Sequence, residues 1–160
     1  MKTKLSAIAL ALSLGVATTL SASAQEGRTL AELSFDSVDE HEKGYLHLGD
    51  MERVRSDIFT SMDADESNGL ELSEFINWGY GFENIAEDEN KLLAYRTALK
   101  VVYTFWDRNG DGKITPSEHR RAVNNDFFRA DLNNNAILEK EEFLGGFSIL
   151  VAVRAALKPE

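Results

Sequence analysis

Cysteine is absent from all 160 residues. Without a thiol the chain has no disulfide framework, no cysteine nucleophile and no lipid-modified cysteine, so core packing or metal must hold it together. Methionine is scarce, at three including Met1, which argues against a broad methionine-lined groove that adapts to many partners. Basic side chains number 17 against 27 acidic ones, a net charge of −10. Such a surface repels nucleic acid and anionic lipid and attracts cations. No G-x-S-x-G turn, phosphate-cradling glycine loop or H-E-x-x-H helix occurs. These absences, with most ordered carboxylates explained below, point away from an enzyme. Nine Phe, two Trp and four Tyr supply a core, so the acidity does not signal disorder.

The one long apolar run, Leu5 to Leu20, follows Lys2 and Lys4 and precedes the small residues Ala22-Ser23-Ala24. This is the pattern of a secretory signal peptide cleaved after Ala24. Ser13, Thr18 and Thr19 interrupt the run, which is short for a retained membrane anchor. Cleavage removes two lysines and no acid, taking the net charge to −12. The expected location is periplasmic or secreted, with no membrane association after cleavage.

Four times an aromatic or apolar helix end leads into an acidic stretch that begins with Asp and closes on a carboxylate eleven residues later. The stretches start at Asp39, Asp63, Asp107 and Asp131. Phe35, Phe59, Tyr103 and Phe127 stand four residues ahead of these aspartates. Leu92, Tyr95, Leu99, Val102 and Trp106 recur at helical spacing before the third loop, and Phe143, Phe147 and Leu150 predict one helix from Phe143 to Leu157 after the fourth. Gly79-Tyr80-Gly81 breaks the chain between the halves.

The third loop, DRNGDGKITPSE at 107–118, carries oxygen-bearing side chains at alternate positions, glycine at position 6 and glutamate at position 12. It resembles the EF-hand calcium-binding family, and the likeness extends over nearly all the chain beyond the signal peptide. The resemblance implies an all-α fold of two EF-hand pairs with short strands joining their loops. Residues 25–80 form the first expected pair and 81–160 the second, so that loops one and two pair, as do three and four.

The family supplies calcium with six to eight oxygens from loop positions 1, 3, 5, 7, 9 and 12. Carried over, this makes Asp107, Asn109, Asp111, the Lys113 carbonyl, Thr115 and Glu118 the surest ligand set. In the second loop the set is Asp63, Asp65, Ser67, the Gly69 carbonyl, Glu71 and Glu74, with Asn68 where the family places its bend glycine. In the fourth it is Asp131, Asn133, Asn135, the Ile137 carbonyl, Glu139 and Glu142. There Ala136 takes the bend at a cost of about 1 kcal/mol, making this the weakest of the three.

The first loop, 39–50, has His41, Lys43 and His47 at ligand positions and the shorter Asp50 at position 12. It reads as a retired loop kept for pairing. His41 and His47 as zinc or copper ligands are the alternative, lacking a clear third partner. His119 is expected to be a packed or surface residue rather than a ligand.

The expectation is two or three calcium ions bound at about 10⁻⁵ to 10⁻³ M, as in extracellular modules, for buffering, carriage or structural support. One alternative is a sensor that opens an apolar groove to a single protein partner. The other is lanthanide binding. The twelve residues between paired loops resemble the spacing in exported lanthanide-binding members of the family, but those carry proline at loop position 2, where this chain has Glu40, Ala64, Arg108 and Leu132.

Overall fold

The computed structural model describes residues 22–158, with side chains from 24. The predicted signal peptide therefore lies almost wholly outside the described residues. None of the helices described is long and apolar enough to cross a membrane.

The molecule is mostly helical. In chain order the elements are α1 (Ala22–Val38), β1 (Tyr45–Leu46), α2 (Leu48–Met62), β2 (Leu70–Glu71), α3 (Leu72–Asn77), α4 (Glu83–Asp88), α5 (Leu92–Trp106), β3 (Lys113–Ile114), α6 (Pro116–Ala130), β4 (Leu138–Glu139), α7 (Lys140–Gly146) and α8 (Ser148–Leu157). Each of the four acidic loops separates two helices and contains one two-residue strand. Helices α2, α3, α6 and α7 start where position 12 of the loop reaches back to the backbone N–H of position 9. Asp50, Glu74, Glu118 and Glu142 each accept this bond, at 2.8, 2.9, 3.0 and 3.1 Å. An acidic residue in the first turn also complements the helix dipole.

The strands do not pair as the sequence order suggested. β1 pairs antiparallel with β4, setting Leu46 opposite Leu138, and β2 pairs with β3, setting Leu70 opposite Ile114. The expected pairing of loop one with two, and of three with four, is thus corrected to one with four and two with three. The reason is the length of the connecting helices. α2 is at once the exit helix of the first loop and the entry helix of the second, and α6 plays the same part between the third and fourth. Fifteen residues hold the loops at their two ends roughly 22 Å apart, far beyond the roughly 5 Å of a strand pair. α2 packs against α6, and the pairing of β1 with β4 and of β2 with β3 at their ends sets the two helices in opposite directions, so that each loop meets a partner from the other half.

The core follows this arrangement. One buried cluster gathers Phe59, Leu70, Phe75, Leu99, Trp106 and Ile114 around the inner loop pair, and another gathers Phe35, Leu46, Met51, Phe127, Leu138 and Phe143 around the outer pair. Both draw on both halves of the chain. The four residues at position 8, Leu46, Leu70, Ile114 and Leu138, are each 0% exposed.

The single C-terminal helix expected from Phe143 to Leu157 is instead broken at Phe147, whose backbone is extended. Gly145 and Gly146 weaken the helix before it. Asp126, 2% exposed on α6, accepts from the Ser148 backbone N–H at 2.9 Å and its hydroxyl at 2.5 Å, which fixes a new helix start. Burial pushes the Asp126 carboxyl above its ordinary value. The turn at Gly79-Tyr80-Gly81 is as expected, with φ of 77°, 46° and 78°.

Candidate metal centre

All four loops share one backbone path. Positive φ falls at positions 4 and 6 in each: Glu42 and Gly44, Glu66 and Asn68, Gly110 and Gly112, Asn134 and Ala136. In the second loop it is Asn68, not the following glycine, that makes the bend. Asparagine tolerates this region better than alanine does.

That path turns backbone N–H groups toward the first aspartate. Asp63 accepts from Ser67 and Asn68 at 3.0 and 2.9 Å, Asp107 from Gly110 and Gly112 at 2.9 Å each, and Asp131 from Asn135 and Ala136 at 3.1 and 2.9 Å. Position 12 closes the loop from the other side. Glu74 accepts from the Ala64 N–H at 2.9 Å, Glu118 from Arg108 at 3.1 Å and Glu142 from Leu132 at 3.1 Å. Side-chain oxygens of positions 1 and 12 are thereby held toward the middle of each loop.

Asp63, Asp65 and Glu74 have carboxylate oxygens within 4.8 Å of one another. Ligands bound at 2.3–2.6 Å on opposite sides of one cation are roughly 4.6–5.2 Å apart, so this set can share an ion with little rearrangement. The third loop, ranked first on sequence, does not bring three carboxylates together in this way among the described residues. Its position 3 is the amide Asn109, which donates to Asp111 at 2.8 Å. Burial pulls the Glu118 carboxyl up, but the Thr115 N–H and hydroxyl and the Asn109 and Arg108 N–H groups hold it below its ordinary value. Asp65 is likewise held low, by Ser67.

Other predicted ligands take their own places. The Ser67 hydroxyl lies 3.0 Å from the Gly69 carbonyl. Lys113, expected to offer only its carbonyl, sends its ammonium across the strand pair to Glu71 at 3.4 Å. In the fourth loop, Asn133 and Asn135 accept backbone bonds at 3.0 and 3.1 Å, while Glu139 caps α7 and Ile137 sits one step before the buried Leu138. Every donor in the three sets is oxygen, which suits a hard cation and not a soft one.

The first loop is already neutralised from within. The Lys43 ammonium lies 2.6 Å from Asp50 Oδ2, joining positions 5 and 12, and Arg53 approaches Asp50 at 3.6 Å while pairing with Glu40. Burial pulls the Asp50 carboxyl up, but Lys43 and the His47 N–H hold it low. A tethered cation thus stands beside the position-12 carboxylate. His41 and His47 join no third acidic or imidazole ligand among the described residues.

In the sequence Tyr103 stands out only as the aromatic residue four positions ahead of the third loop. Its hydroxyl reaches the carbonyls of Gly112 at 2.5 Å and Leu70 at 3.1 Å, tying the second and third loops together from below. Burial pushes its phenol up to about 12. A tyrosine in place of phenylalanine four residues before the loop was the available signal. His119, 2% exposed, packs with ring centroids 5.5 Å from both Phe59 and Trp106.

No protein-family model, no curated protein and no solved structure matches the chain.

Proposed function

We propose that this is an exported EF-hand protein that binds two or three calcium ions through the second, third and fourth loops. Its role on this reading is as a buffer, a carrier or a structural calcium module. The observation that carries the proposal is the inward set Asp63, Asp65 and Glu74, spaced as oxygens around one hard cation, on a loop path repeated around Asp107 and Asp131. In the third loop, Asp107, Asn109, Asp111, Thr115, Glu118 and the Lys113 carbonyl would hold the ion. The fourth would use Asp131, Asn133, Asn135, Glu139, Glu142 and the Ile137 carbonyl.

The chain's own residues prepare the sites. Burial raises the Glu118 carboxyl, but hydrogen bonds from Thr115, Asn109 and Arg108 hold it below its ordinary value, and Ser67 holds Asp65 low, which favours the charged form that a cation needs. The strand pairs link the second loop to the third and the first to the fourth, and an ion in one loop therefore stiffens its partner. A sensor role is the second reading, supported by the exposed Phe105 and Phe128, at 76% and 62%.

Calorimetric titration tests the proposal. Two or three calcium equivalents are expected, with Glu118→Gln removing the tightest step. If Glu74→Gln removes that step and Glu118→Gln leaves it, the ranking of the loops is wrong. No calcium uptake at millimolar concentration overturns the proposal itself. Calcium-dependent binding of an apolar dye would favour the sensor.

A further inference from the structure

A cavity of about 300 Å³ lies away from the four loops, between α1, the α4 region and α8. Ile85, Leu150, Val153 and Leu157 form its apolar wall. Ligand pockets begin at about this size and combine apolar walls with a few polar groups. Two features set this one apart. The first is charge: Arg28, Arg154 and Lys158 line it against the single acid Glu89, on a protein of net charge −10. Arg28 is shared by Glu32 and Glu141. Arg154 and Lys158 have no carboxylate partner among the described residues, Arg154 reaching only the Leu144 carbonyl at 3.2 Å. The second is Gly27, in the first half of α1 and lining the same cavity. A Cβ on it would meet nothing nearer than Ile85 at 4.0 Å. Packing does not require the glycine; its effect is to leave the cavity open.

We propose that this cavity binds a small anionic amphiphile, a free medium-chain carboxylate whose chain lies along Ile85 and Val153 and whose head group meets Arg154 and Lys158. An apolar chain is removed from water by the wall, and the carboxylate takes charge-assisted hydrogen bonds from the unpaired cations. The inference is independent of the metal reading.

The test is a calorimetric titration of the protein with decanoate in chelator, beside decyltrimethylammonium as a probe of equal chain length and opposite charge. Decanoate is expected to bind at one site and the cationic probe not to bind. Gly27→Leu, which fills the cavity, is expected to abolish decanoate binding while leaving helical content unchanged by circular dichroism. Arg154→Gln, at the rim, is expected to weaken decanoate by about tenfold, the equivalent of one charge-assisted bond. Absence of decanoate binding overturns the proposal, as does equal binding of the two probes or full binding by the Gly27→Leu protein. Concentration-dependent dimerisation that decanoate leaves unchanged and Gly27→Leu removes would assign the cavity to a second copy of the chain and also overturn it.

Discussion

Ala136 holds φ at 64°, where alanine costs about 1 kcal/mol more than glycine. Ala136→Gly is therefore expected to stabilise the protein by about 1 kcal/mol in chemical denaturation and to strengthen the fourth loop's ion step; an unchanged midpoint would show that the bend is not strained. His119 supplies a pH dependence. Burial first, then the nearby Arg55, pulls its pKa from 6.5 to about 4 against the opposing Glu52. Since the folded value is depressed, the stability it lends is complete above pH 6.5 and is lost as pH falls toward 4, because only the unfolded chain takes up the proton. A shift of this size corresponds to about 3 kcal/mol at most. His119→Phe, measured in chelator, should thus lose less stability than the parent between pH 6.5 and 4, and parallel curves would contradict this account. The bend residues and the aromatic residues before each loop were legible in the sequence because each follows from local backbone demands. The Lys43–Asp50 ion pair was foreseen only as a lysine in the wrong place.

At the scale of elements, α6 and α7 approach so closely that a Cβ on Gly146 would collide with Ala130. Gly146→Ala is expected to cost about 1–3 kcal/mol through overpacking, and Ala130→Gly in the same chain should recover part of it; a neutral Gly146→Ala would show that the two helices can part freely. Helical periodicity made α5 legible, and Tyr95, Leu99, Val102 and Trp106 are all buried on one face. The same reasoning missed the break at Phe147, because the apolar spacing runs through it while a buried carboxylate from another helix decides it. Loop pairing was misjudged for a related reason. Position 8 is apolar in every loop, so any loop could pair with any other on local pattern. The deciding quantity was the rigid length of α2 and α6, present in the sequence as the close spacing of the loops.

For the whole molecule, both strand pairs and both buried clusters join residues from before and after Gly81. A fragment ending at Gly81 would leave Leu46 and Leu70 without their partners Leu138 and Ile114. It is expected to lack cooperative thermal unfolding alone and to regain it when mixed with the fragment from Phe82, whereas independent folding of either would contradict the crossed pairing. The charge balance, the helical class and the four loops could all be read from the sequence, since composition and short-range spacing determine them. How the loops meet was present only indirectly, as the loop spacing that sets the rigid length of α2 and α6. The central claim is that these loops take up calcium, and ion binding to a folded state alone must raise its stability. The most direct measurement is the thermal midpoint in millimolar calcium and in chelator. A site filled to a hundred times its Kd contributes about 2.7 kcal/mol, so calcium should raise the midpoint by several degrees, and an identical midpoint in the two conditions would contradict the account.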